Sequence, residues 1–279
     1  MTLAQAIRAA AERLAGISDT ARLDAELIAA HCLGVPRAEM LLRHMHGPVR
    51  SGLPEELDAL ITRRASHEPI AYITGSQEFY GLTFTVSPAV LIPRGDSEVV
   101  VEAALAAQPD AARVLDCGTG SGALLLAVLA HVHGAHGVGI DQSAAALAVA
   151  QANAEALGLG QRAAFREADW TKGDWAGELG TFDLILANPP YVESNAPLDP
   201  DVRDYEPARA LFAGPDGLDD YRILVPQLPG LLAPGGVAVV EIGYAQADAV
   251  AAIAAAAGLA SDLRRDLAGR PRAHVLRPG

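Results

Sequence analysis

One short stretch of this 279-residue chain has side chains and backbone suited to a specific kind of chemistry: Asn188-Pro189-Pro190-Tyr191. The two prolines fix φ and remove two backbone N–H groups, so nearby carbonyls are left free to accept hydrogen bonds. The Asn188 side-chain oxygen and the Pro189 carbonyl can take both hydrogens of a single NH2 group. Tyr191 can lie along the planar group that carries it. This grip suits a nitrogen whose lone pair is delocalised, as in a carboxamide or an exocyclic base amine. The two acceptors also favour positive charge on that nitrogen as it attacks, so positioning supplies most of the catalysis and no strong base is required. Taken alone, Asn-Pro is also a common breaker at the end of a strand.

A second constellation lies upstream, in Asp116-Cys117-Gly118-Thr119-Gly120-Ser121-Gly122. Glycines let a ligand approach the backbone closely, and the helix that follows offers free N–H groups at its start. Asp141 ends the next apolar run and can accept both hydroxyls of a ribose. Gly118, Gly120 and Ala123 also satisfy the dinucleotide fingerprint in its Gly/Ala form, so nicotinamide and S-adenosylmethionine enzymes both fit the loop. The clustered glycines favour the second, as does Asp116, which is placed to meet a methionine amino group. Asp169-Trp170 follows a third apolar run. Its indole can cover a purine face or simply cap a sheet edge.

Positioning these groups requires a particular framework. From about Asp96 the chain alternates strand and helix patterns: strands at Arg113–Asp116, Gly137–Asp141, Ala163–Ala168, Phe182–Ala187 and Val237–Ile242. Helices are expected at Ser143–Leu157, Tyr221–Leu232 and Ala245–Ala257, and a closing antiparallel pair in the tail. Such alternation implies a parallel sheet covered on both faces, with ligands outside the carboxyl ends of the strands. Glu78–Ile92 alternates β-branched and aromatic residues around Gly81 and Pro88, which predicts a hairpin. Residues 1 to about 74 carry helical spacing, as at Leu23, Leu27 and Ile28, broken at Gly34, Pro36, Gly47, Pro48 and Pro54.

The bulk properties narrow the partners. Net charge is −13, against the basic excess expected of a protein that binds nucleic acid through phosphates. Apolar runs such as Gly122–Ala130 fall far short of a membrane span, and the N-terminus reads as an amphipathic helix, not a signal peptide. Cys32 and Cys117 show no metal-type spacing, and reduced thiols in the cytoplasm are expected. His131, His133 and His136 read as a solvated helix end without a metal. Lys172 is the sole lysine beside many arginines and alanines, as a GC-rich bacterial coding sequence would give.

Over nearly its whole length the chain resembles the HemK/PrmC family of protein-(glutamine-N5) methyltransferases. The likeness rests on Glu68-Pro-Ile-Ala-Tyr-Ile-Thr-Gly75, Glu78–Phe84, Leu91-Ile-Pro-Arg94, Asp116–Gly122, Phe182–Tyr191, Val202–Pro207, Leu211–Leu218 and Glu241-Ile-Gly-Tyr244, in that order. Asn-Pro-Pro-Tyr alone is shared with DNA adenine methyltransferases. The other stretches are more specific.

The resemblance implies an α/β fold: a Rossmann-like class I methyltransferase domain with a mostly parallel seven-stranded sheet, a small N-terminal helical bundle and a β-hairpin linker. The boundaries it suggests are 1–74 for substrate recognition, 75–95 for the linker and 96–279 for catalysis. It implies S-adenosyl-L-methionine as cofactor, with S-adenosyl-L-homocysteine as product and no metal. Asp116, Gly118, Thr119, Gly120, Ser121, Gly122, Asp141, Trp170 and Asn188 would hold it. Asn188, Pro189, Pro190 and Tyr191 would hold a glutamine, with Asn188, Pro189 and Tyr191 catalytic. The implied substrate is the Gly-Gly-Gln glutamine of class-1 peptide-chain release factors, modified by a cytoplasmic monomer. A ribosomal-protein glutamine and a nucleic-acid adenine are the alternatives.

The family usually continues Ile-Pro-Arg with Pro-Glu-Thr-Glu, whereas this chain has Gly95-Asp96-Ser97-Glu98. Acid and hydroxyl are kept but shortened, and a stiff turn is lost. Asp199–Asp204 reads as a substrate gate or a solvated loop, and Arg203 and Glu206 are candidates for ordering the Asn-Pro-Pro-Tyr segment.

Overall fold

The computed structural model describes residues 1–279. Five helices come first: α1 (Leu3–Leu14), α2 (Ala21–Leu33), α3 (Arg37–Arg43), α4 (Leu53–Ala65) and α5 (Ile70–Thr74). The strands β1 (Ser76–Phe79) and β2 (Leu82–Thr85) form a two-stranded sheet. Then follow α6 (Glu98–Ala107), β3 (Arg113–Cys117), α7 (Ala123–His131), β4 (His136–Asp141), α8 (Ala144–Ala156), β5 (Ala163–Glu167) and β6 (Phe182–Ala187). The remainder comprises α9 (Pro200–Tyr205), α10 (Asp219–Leu224), β7 (Leu232–Glu241), α11 (Ala247–Ala256), β8 (Leu259–Arg265) and β9 (Pro271–Pro278).

These elements form two compact units, Met1–Ser76 with Leu198–Tyr205, and Gln77–Pro197 with Glu206–Gly279. In the first, Leu3, Ile7, Leu14, Ile28, Met40, Leu53 and Ile61 build one apolar core. Thr2 and Gln5 cap α1 reciprocally, so two of the helix's free N–H groups are satisfied. The stretch Asp199–Asp204 proves to contain a short helix, and the reason is electrostatic. Arg64 is buried on α4, where its guanidinium needs counter-charges. Asp24 supplies one at 2.7 Å and Asp201 of α9 the other at 2.8 Å.

The second unit is built on a seven-stranded sheet of order β5-β4-β3-β6-β7-β9-β8. The pairs from β5 to β7 are parallel, and β9 is antiparallel to both β7 and β8. Period-two alternation sends Val114, Leu184 and Leu186 into one core and Leu115, Ile185 and Val240 into the other. The hairpin turns at Tyr80 and Gly81, both with positive φ, the turn whose twist suits two adjacent strands. Asn153 of α8 holds the end of β2 by accepting from the Thr85 N–H at 2.7 Å and donating to its carbonyl at 3.0 Å. The hairpin, read from sequence as a linker, therefore packs with the sheet unit.

Three details depart from the sequence reading. Glu98–Ala107 is a full helix within a stretch where only strand–helix alternation was anticipated. β7 begins at Leu232 and passes through Pro234-Gly235-Gly236 with a register shift opposite Phe182 and Leu184. The helix expected at Tyr221–Leu232 ends at Leu224 and tightens into a 3-10 segment over Val225–Gly230, which contains Pro226 and Pro229.

Candidate active site

The topology determines where a ligand can sit. From β3 the chain moves outward to β4 and β5, then returns to place β6 on the other side of β3. The carboxyl ends of β3 and β6 therefore face a crevice at the switch point. A cavity lies there. Its lining includes Gly118, Thr119, Gly120, Ser121, Asp141, Trp170, Asn188 and Pro190. The glycine loop, the acid that ends β4, the indole and the Asn-Pro-Pro turn, all read separately from the sequence, thus line one cavity. Of the remaining sequence-predicted residues, Asp116 lies buried at the end of β3, Gly122 starts α7, and Pro189 and Tyr191 stand outside this lining.

Gly118 has φ +76°, and a Cβ there would stand 3.1 Å from the Trp170 ring. Backbone and indole are thus packed as closely as a glycine allows. Trp170 is held in place by donating from Nε1 to Asp220 at 2.9 Å. Asp141 accepts from the Gly120 N–H at 3.0 Å and the Ser143 N–H at 2.9 Å, one on each carboxyl oxygen. Burial raises its pKa, against these two N–H groups and nearby Arg209. The carboxylate is oriented by backbone and still has lone pairs for a pair of ribose hydroxyls.

Asp116 is 1% exposed. One carboxyl oxygen accepts from Thr119 Oγ1 at 2.7 Å, and the other, Oδ1, has no hydrogen-bond partner. Burial pushes its pKa up to about 7, opposed by the Thr119 hydroxyl. A buried acceptor without a partner is costly, and an ammonium group from a ligand would satisfy it. Together with the glycine cradle and Asp141, this donor and acceptor set fits the methionine and ribose ends of S-adenosylmethionine.

Asn188 follows β6, with Nδ2 donating to Ser97 Oγ at 3.5 Å. The turn behind it is braced by residues whose role no sequence pattern announces. Gln246 donates from Nε2 to the Tyr191 carbonyl at 3.0 Å, and Val192 pairs with Leu211 and Ala213. Gly217 has φ +69°, and a Cβ there would stand 2.3 Å from the Tyr191 carbonyl oxygen. The Leu211–Leu218 motif and Gln246, just beyond the Glu241–Tyr244 motif, therefore shape the Asn-Pro-Pro-Tyr turn from behind. The motif's sequence signal was the resemblance alone, since nothing in its spacing announces a backbone brace.

Glu206 does something other than order that turn. It accepts from the Ile92 N–H at 3.2 Å and pairs with Arg94, clamping the Ile92–Arg94 rim of the cavity. Arg203 pairs with its exposed neighbour Asp204. The unusual Gly95-Asp96-Ser97 segment is anchored despite its missing proline: Asp96 pairs with Arg272 at 2.5 Å, and Ser97 is buried.

Comparison with known proteins gives two family matches, a PrmC N-terminal domain over residues 5–75 and a methyltransferase domain over residues 109–256. The chain is 44% identical over 272 residues to a release factor glutamine methyltransferase of Rhodospirillum rubrum, covering 95% of this chain and 81% of that one. It is 43% identical to the protein of the same name from Caulobacter vibrioides, covering 98% of this chain and 95% of that one. Among solved structures, a ribosomal protein L11 methylase from Lactobacillus delbrueckii subsp. bulgaricus aligns with a TM-score of 0.50. That match has 22% identity and covers 70% of this chain and 84% of that one, a likeness of fold alone.

Proposed function

The chain belongs to the release factor glutamine methyltransferase family, and we propose that it methylates the N5 side-chain amide nitrogen of the glutamine in the Gly-Gly-Gln motif of class-1 peptide-chain release factors. S-adenosyl-L-methionine, when bound, supplies an electrophilic methyl group on a positively charged sulfur. Asp116 offers its unpartnered carboxyl oxygen to the methionine ammonium, and Asp141 accepts from the ribose hydroxyls. Gly118, Thr119, Gly120, Ser121 and Gly122 give the ligand close access to backbone, with the Trp170 indole beside the purine.

Asn188 stands between the two ligands. Its Oδ1 and the Pro189 carbonyl accept the two hydrogens of the glutamine NH2 group, and Pro190 and Tyr191 close on the amide plane. The acceptors hold the nitrogen in line and stabilise the positive charge that grows on it. The amide proton becomes acidic only once the nitrogen has been alkylated, so it leaves late and no strong base is required. The observation that carries this reading is that Asn188 and Pro190 line the same cavity as Gly118–Ser121 and Asp141.

Residues 1–74 are proposed to select the protein partner, which the match to a PrmC N-terminal domain supports. The net charge of −13 weighs against nucleic acid as substrate. Incubation with methyl-tritiated S-adenosylmethionine and either a class-1 release factor or a ribosomal protein tests the assignment. Label in the release factor is expected, and label only in the ribosomal protein or in nucleic acid would overturn it.

A further inference from the structure

The Asn-Pro-Pro-Tyr turn has two flanks. β6 pairs with β3 on one side and with β7 on the other, and both pairs are parallel. The β3 flank carries the glycine loop and the cofactor cavity, and no residue of Glu241–Gln246 lines that cavity. With S-adenosylmethionine on the β3 flank, a polypeptide has the β7 flank to approach from.

Register determines what stands there. Ala187 of β6 pairs with Val240 of β7, and the two strands run the same way. The next four residues of each, Asn188-Pro-Pro-Tyr191 and Glu241-Ile-Gly-Tyr244, therefore leave the sheet at the same edge. They stay in contact: a Cβ on Gly243 would stand 3.4 Å from Cδ2 of the Tyr191 ring. The two tyrosines are placed differently. Tyr191 packs against an apolar core, whereas Tyr244 is 64% exposed and its hydroxyl has no hydrogen-bond partner.

Single exposed apolar side chains are common. This one differs in being mounted on a fixed base beside the amide grip. The Gln246 N–H donates to the Gly243 carbonyl at 2.9 Å, closing a tight turn with Tyr244 at its first corner. The Gly243 N–H donates to Gln246 Oε1 at 3.0 Å. Gln246 Nε2 donates to the Tyr191 carbonyl at 3.0 Å and to the Gly217 carbonyl at 3.1 Å. One side chain thus ties the turn that carries Tyr244 to the turn that begins at Asn188. A ring on a braced backbone loses little freedom when it is covered, so its contact area converts well into affinity.

We propose that Tyr244 is a specificity-determining residue for the protein substrate: its ring packs on the bare backbone of the two glycines that precede the target glutamine. This rests on the reading of the target as a Gly-Gly-Gln glutamine. Two glycines offer no side chains to recognise, so discrimination must come from what they lack. Without Cβ atoms a peptide plane can lie flat on an aromatic face. Alanines in their place would hold the ring off. Tyr244 contacts neither the methyl donor nor the reacting nitrogen, so it acts on binding of the protein substrate and not on the transfer step.

Kinetics of wild type, Tyr244→Ala and Tyr244→Phe test this, each with a release factor and with the same release factor carrying Ala-Ala-Gln. In Tyr244→Ala, KM for the native release factor is expected to rise about tenfold, with kcat, S-adenosylhomocysteine affinity and melting temperature near wild type. Tyr244→Phe keeps the ring and behaves as wild type. The readout that a merely structural role would not move is the coupling between the two sides. Wild type should lose about tenfold in kcat/KM on Ala-Ala-Gln, and Tyr244→Ala much less. A wild-type KM in Tyr244→Ala, or an equal Ala-Ala penalty in both enzymes, overturns the proposal. Should the wild type methylate no release factor, the functional reading fails on its own. Equilibrium binding of a Gly-Gly-Gln peptide then decides: weaker binding to Tyr244→Ala than to wild type upholds the contact, and equal binding or none overturns it.

Discussion

Burial holds the Asp116 carboxyl at a pKa of about 7, while an unfolded chain returns it to its ordinary value of 3.8. The folded protein therefore binds a proton there across the interval in which the unfolded chain has released it. The stability this gives is present at low pH and is lost as pH rises through about 7. Asp116→Asn removes that dependence, so it should raise the melting temperature above neutral pH and abolish S-adenosylhomocysteine binding at the same time. Thermal unfolding and calorimetry check both, and a variant that binds normally would contradict the role given to Asp116. In the same cavity, Asn188→Ala removes the acceptor proposed for the charge that develops on the nitrogen. Turnover should drop by ~100-fold or more while S-adenosylhomocysteine binding stays largely intact. Loss of both together would mean that Asn188 chiefly supports the cofactor.

At the scale of elements, the glycine loop works because its backbone takes conformations that a side chain would oppose. Gly118→Ala combines an unfavourable positive φ with a Cβ 3.1 Å from the Trp170 ring. The αL strain alone is ~1–2 kcal/mol and is already present without ligand, so the variant should lose about that much stability in urea unfolding. Much of this level was legible in the sequence. The apolar runs of β3 and β6 and the glycines between β3 and α7 are local signals, and the site's main residues follow from where those strands end. Other elements were not legible, because distant partners decide them. α9 forms where Arg64, more than a hundred residues away in sequence, needs a second counter-charge. Gln246 and Gly217 shape the Tyr191 backbone from other parts of the chain, and no spacing rule reveals such a brace.

On the scale of the whole molecule, the first unit is closed by a segment that the chain returns to it after β6. Arg64 pairs there with Asp24 and Asp201, with only 7% of its side chain exposed. Arg64→Ala leaves Asp24 buried without its partner, a change that costs ~3–5 kcal/mol in comparable buried pairs. Urea unfolding should show that loss. Because the first unit is proposed to choose the protein partner, KM for the release factor should rise while S-adenosylhomocysteine affinity is unchanged. An unchanged KM in a destabilised variant would move partner choice elsewhere.

Asn188–Tyr191 and the cavity beside them are proposed to deliver one methyl group to a protein glutamine. Digestion of a release factor incubated with this enzyme and S-adenosylmethionine, followed by mass spectrometry of the Gly-Gly-Gln peptide, tests it most directly. The peptide should gain one methyl group, localised by fragmentation to the glutamine side chain and absent with Asn188→Ala. An unmodified peptide, or a methyl group on any other residue, would contradict it.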